Sequence, residues 1–87
     1  MHAVVVNVTV KDPEAAELAL REQLVPRVSH APGFVTGYWT MKDNTGLTML
    51  IFESEEAANA MSAQARSVVP AAMTLDGVEV REVAAYA

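Results

Sequence analysis

Apolar residues fall along this chain in alternating and helical rhythms that mark six elements. "AVVVNVTV", Ala3–Val10, is a β-branched run and predicts a strand. Val4, Val6, Val8 and Val10 share one face of it; Ala3, Val5, Asn7 and Thr9 share the other. Asp12 followed by Pro13 predicts a helix start, a capping carboxylate before a proline that needs no N–H partner in the first turn. In "PEAAELALREQLVPRVSH", Ala15, Leu18, Ala19, Val25 and Val28 fall roughly on one helical face. Pro26 cannot donate to the carbonyl four residues before it, which predicts a kink, or an end near Val25 with a loose turn after it.

"APGF" breaks this helix, "FVTGYWTM" is a second strand, "KDNTG" a hairpin loop and "LTMLIFE" a third strand. Ser54 with Glu55 and Glu56 predicts a second helix start, a hydroxyl cap with acids against the positive helix end. The alanine-rich "EEAANAMSAQAR" continues it. "SVVPAAMT" reads as a loop. "LDGVEVREVAAY" is a fourth strand, with Val78, Val80 and Glu82 on one face and Glu79, Arg81 and Val83 on the other. The order βαββαβ is the ferredoxin-like α+β motif, a four-stranded antiparallel sheet with two helices on one face. One such domain accounts for residues 1–87.

A sheet covered on one side should alternate apolar and polar residues. These strands do not. In the third, Leu47, Met49 and Ile51 oppose Leu50 and Phe52; in the second, Val35, Trp39 and Met41 oppose Phe34 and Tyr38. Two helices cover one face only, and the other would expose more apolar surface than monomers tolerate. The pattern predicts a homodimer packed sheet to sheet as a dimeric α/β barrel, the partner chain reinforcing a small core. Asn7, Thr9 and Thr48 are the polar residues expected to line the space between the sheets.

Composition closes several routes. There is no cysteine, so disulfide, thiolate and zinc–thiolate chemistry are excluded, and the two histidines, His2 and His30, do not make a metal motif. Six basic residues are scattered in a chain of net charge −5, which argues against nucleic acid or an anionic membrane as partner. No apolar run approaches the roughly 20 residues of a membrane span. "VVVNVTV" runs at once into Lys11, Asp12 and Pro13, unlike a signal peptide, so the expected location is cytoplasmic. Paired carboxylates, a phosphate loop and a nucleophile elbow are not recognisable, and no cofactor is expected.

"PGFVTGYW" at the start of strand two and "LIFESEEAANA" from strand three into helix two carry a resemblance. The chain resembles, over essentially its whole length, the dimeric α+β barrel superfamily, and within it the small antibiotic-biosynthesis-monooxygenase-like proteins. A "PGF..G" segment and a "[WF]ES.E" segment recur there. The resemblance implies the fold and the homodimer. It also implies a range of activities: cofactor-free oxygenases acting on aromatic polyketides, haem degraders, lactone isomerases, and members with none known. The oxygenases and haem degraders commonly use a cavity-facing asparagine and tryptophan. Asn7 falls where such an asparagine is found, while Phe52 stands at the strand-three tryptophan position. Helix two, Glu55 to Arg66, lacks the histidine that holds haem iron in such enzymes, which points away from haem.

Each candidate residue has a functional and a structural role open to it. Asn7, an amide inside a valine strand, suits polarisation of a substrate oxygen, a bridge across the dimer, or plain solvation. Trp39 and Tyr38 are adjacent on a strand and point to opposite faces, so one lines a cavity while the other packs elsewhere. His30 suits a general base, or a cap on the last turn of helix one. Asn7, Trp39 and His30 are thus the catalytic candidates. Tyr38, Thr9, Phe52 and Met49 are the ligand-binding candidates, for a small apolar or aromatic molecule. Three functions compete: a cofactor-independent monooxygenase-like or isomerase-like enzyme, a non-enzymatic dimeric module that binds a small molecule or a protein, and a structural or stress-related member of the same fold with no ligand.

Overall fold

The computed structural model describes residues 1–87. Its elements are β1 (His2–Val10), α1 (Pro13–Ala19), a π-helical segment (Leu20–Leu24), α2 (Val25–Ser29), β2 (Phe34–Lys42), β3 (Thr45–Phe52), α3 (Glu55–Val68) and β4 (Met73–Glu82). The sheet order is β2-β3-β1-β4 and every pairing is antiparallel. The valine-rich β1 pairs on both edges, which is why it is so rich in residues that suit a pleated, covered surface. The two helical runs, α1 to α2 and α3, pack on one face of the sheet, the arrangement of a ferredoxin-like α+β fold.

Both helix starts form as the capping residues require. The Asp12 carboxylate accepts from the Ala15 N–H at 3.2 Å, and Ser54 Oγ accepts from the Ala57 N–H at 3.1 Å. Helix one does not end at Pro26. It runs on from α1 to α2 through the π segment, where the Val25 N–H donates to the Leu20 carbonyl, five residues back. The widened turn sits directly before Pro26 and absorbs the residue that cannot donate.

This segment also changes which face is buried. Ala16 and Val28 are buried, Leu20 and Leu24 half-buried, while Ala15 and Leu18 are exposed. The core stripe is thus Ala16, Leu20, Leu24, Val28, four residues apart throughout. In a regular α-helix such a stripe drifts by about 40° per step. A turn with one extra residue reverses that drift and keeps the stripe on the sheet.

Strand two departs from simple alternation as well. A bulge between Phe34 and Thr36 shifts the register, so Phe34 opposite Phe52 and Trp39 opposite Thr48 both pack against the core. Val35 and Tyr38 together occupy the open face. The grouping of Val35 with Trp39 and of Phe34 with Tyr38 is corrected by this one extra residue. The Phe34 and Phe52 rings meet edge to face, with centroids 5.8 Å apart.

The core lies in two patches between helices and sheet. Val4, Val28, Leu50, Phe52, Ala58 and Met61 form one, and Val8, Val10, Ala16 and Met73 the other. Chain reversal before β2 uses Gly33 at φ 78°, a left-handed conformation; a Cβ there would stand 2.9 Å from that of Ala57. The Gly33 carbonyl accepts from the Glu53 N–H, which ties the reversal to the end of β3. The β2–β3 hairpin turns through Asp43, at φ 56°, and Asn44.

Candidate functional site

The sheet separates two places where a ligand or partner can sit. On the helix side lies an apolar cavity of about 50 Å³, walled by Leu20 and Leu24 of the π segment, Met61 and Ala65 of α3, and Trp39 and Thr48 of the sheet. The β2–β3 register sets Trp39 directly opposite Thr48, close enough for side chains to touch. The Trp39 ring reaches Gly37, two of its outer carbons 3.2 Å from where a Cβ would be, so any larger residue there would press on the indole. Thr48 and Trp39 are the only lining residues whose side chains carry a hydroxyl or an N–H, and the wall itself is almost wholly apolar.

The cavity opens toward a cleft of about 180 Å³ with which it shares Leu24, Val68, Val69 and Pro70. Gln23, Arg27 and Ser67 complete that cleft. A π turn lining a cavity matches the frequent location of such turns at functional sites.

The opposite face has no helix over it. Tyr38 is 63% exposed, Val35 46%, Leu47 44% and Met49 43%, a contiguous apolar surface on adjacent strands. A groove of about 700 Å³ runs between this face and residues 83–87, bordered by Val5, Tyr38, Met49, Ile51 and Tyr86. Polar groups gather at the other end of the face. Asn7 pairs with Leu47 and Gly77, and the Thr9 hydroxyl donates to Asp76 Oδ2 at 2.6 Å. Arg81 pairs with Glu79 at 3.1 Å, a largely exposed ion pair of little energetic weight.

The residues singled out from sequence are thus divided among several locations. Asn7, Thr9, Tyr38 and Met49 share the open face. Trp39 lies on the helix side, and so does Thr48, which is corrected from the open-face group: it has the parity of Leu50 and Phe52, and the register pairs it with Val6 and Trp39. Phe52 is fully buried in the core and lines neither cavity. His30 is exposed at the end of α2, where Nδ1 lies 2.6 Å from the Pro26 carbonyl. A carbonyl only accepts, so Nδ1 carries the proton and the ring caps the last turn. The three catalytic candidates therefore do not converge within one chain. Sequence reasoning also passed over Leu20, Leu24, Gln23 and Arg27; the four-residue spacing Ala16–Leu20–Leu24–Val28 was the available signal.

Charge clusters offer no alternative centre, since no group of three or more histidine and acidic side chains could hold a metal ion. No helix is long and apolar enough to cross a membrane. Comparison with protein-family models gives no match, and comparison with curated proteins gives none either.

Proposed function

We propose that the protein is a homodimeric α/β-barrel module that holds a small apolar or aromatic molecule in the cavity between its helices and sheet. The observation that carries this reading is the cavity itself: aliphatic walls, a single indole and a single hydroxyl side by side, and a π turn forming one side. A concave, predominantly apolar pocket with few polar residues in its lining is the usual makeup of a small-molecule site. The second copy covers the exposed Val35, Tyr38, Leu47 and Met49 surface, removing from water a patch that a lone chain would leave exposed. The separation of Asn7, Trp39 and His30 favours binding over acid–base catalysis.

Trp39 is the only tryptophan and reports on its own cavity. Titration with a small hydrophobe such as cyclohexanol should change its fluorescence saturably. Ala65→Val adds bulk to the cavity wall from α3 and should abolish the change while the far-UV spectrum is kept. An unchanged response in Ala65→Val would remove the cavity as the site.

The indole on a water-poor wall favours a second reading, the cofactor-free oxygenase that the resemblance implies. Dioxygen would oxidise an anthrone-type ring carbon: one oxygen atom becomes the new carbonyl and the other leaves as water with the two hydrogens of that carbon. The ring would sit in the outer cleft with one edge turned toward Trp39, since the inner space of about 50 Å³ is too small to hold it. Oxygen uptake with such a substrate, lost in Trp39→Leu, would support this reading; equal rates with and without protein would end it.

A further inference from the structure

We infer that the mouth of the helix-side cavity selects an anion, so that the ligand is a small amphiphilic carboxylate with its apolar end inward against Trp39. The inference rests on the cavity being the binding site. It comes from how the chain distributes its few positive charges.

The chain carries eleven acidic and six basic residues. Two of the six are already engaged: Arg21 with Glu17 at 2.8 Å, and Arg81 with Glu79. Lys42 ends β2 at the hairpin and lines neither the cavity nor either of its clefts. The other three, Lys11, Arg27 and Arg66, border the segment through which the cavity opens. Arg27 lines the cleft on one side of Val69 and Pro70, and Lys11 with Arg66 line a shallower cleft on the other. Val69 and Pro70 are walls of both clefts and of the inner cavity. No acidic side chain lines either cleft, in a protein where acids outnumber bases nearly two to one.

The cleft beside Arg27 adds the finer chemistry. Ser67 Oγ donates its hydrogen to the Gln64 carbonyl at 2.8 Å, so the donors left to face a ligand are the Arg27 guanidinium and the Gln23 amide. A guanidinium fork fits a carboxylate through two parallel hydrogen bonds. Leu24 and Val68 lead from that fork to the inner cavity. The inner space of about 50 Å³ admits only a narrow apolar end, and the cleft of about 180 Å³ takes the rest with the head group. The two together describe a short or branched carboxylic acid better than a large uncharged ring system.

Hexanoate and its neutral analogue hexan-1-ol separate this inference from the reading beneath it, with Trp39 fluorescence and calorimetry as readouts. Hexanoate should bind roughly fivefold more tightly than the alcohol, the scale of one exposed ion pair. Arg27→Gln should erase that difference, and 0.5 M salt should weaken the acid alone. Arg21→Gln, whose partner is Glu17, should change nothing. Equal affinities for acid and alcohol, or an acid preference that survives Arg27→Gln, would overturn the anion selection and leave the cavity as the site. Absence of any response to either probe would overturn both.

Discussion

Asn7 and Trp39 stand on opposite faces of one sheet. Asn7 pairs with Leu47 and Gly77 on the open face; Trp39 sits opposite Thr48 beneath the helices. A ligand in the helix-side cavity of one chain touches the second and not the first. Trp39→Leu should therefore weaken ligand binding about fivefold, the scale of one lost aromatic contact, while Asn7→Ala changes it less than twofold. Calorimetric titration, which does not need the tryptophan signal, measures both.

The open face makes a separate prediction. Met49 and Tyr38 lie on paired positions of β3 and β2, and both are exposed. Sedimentation should give a dimer for the wild type at micromolar concentration. Met49→Glu should give a monomer, because a carboxylate buried between two sheets without a partner costs several kcal/mol. A wild-type monomer would remove the sheet-to-sheet dimer.

Phe52 was a ligand-binding candidate and stands fully buried against Phe34. Phe52→Leu should lower stability by about 1 kcal/mol, through the lost edge-to-face contact and imperfect refilling. Urea unfolding gives the stability, and hexanol titration should return wild-type affinity. A large drop in affinity with unchanged stability would restore Phe52 to the site.

Gly33 combines a left-handed φ with a close approach to Ala57. Gly33→Ala should cost about 2 kcal/mol, from the conformational penalty and the displaced neighbour. In a domain of this size that is a fall of roughly 10 °C in Tm by thermal scan. Pro32→Ala, next to it and exposed, should shift Tm far less.

Much of the fold was legible because it is written in local signals. The β-branched run of β1, the Asp12–Pro13 and Ser54–Glu55–Glu56 helix starts and the Asp43–Asn44 turn each act over a few residues. Strand parity was legible for the apolar residues of β1 and β3, whose mutual pairing has no bulge, although Thr48 was assigned to the wrong face. The predicted face of helix one was less so. Leu18 fits a 3.6-residue period and is 57% exposed, because the π segment changes the period partway.

The amino-acid sequence by itself determined the order of elements, the antiparallel hairpin and the presence of apolar residues on both faces of the sheet. These follow from propensity, capping and alternation, which are properties of neighbours in the chain. Only the tertiary structure decided which apolar residues face each other. One extra residue in β2 moved Val35 to the face of Tyr38, and one widened turn brought Leu20 and Leu24 to the cavity. A bulge or π turn exists because packing on both sides repays its local cost, and that balance is set by partners distant in sequence. The site depends on the same balance: Trp39 meets Thr48 through strand register, and Arg27 of helix one lines the same cleft as Ser67 and Val68 at the end of α3.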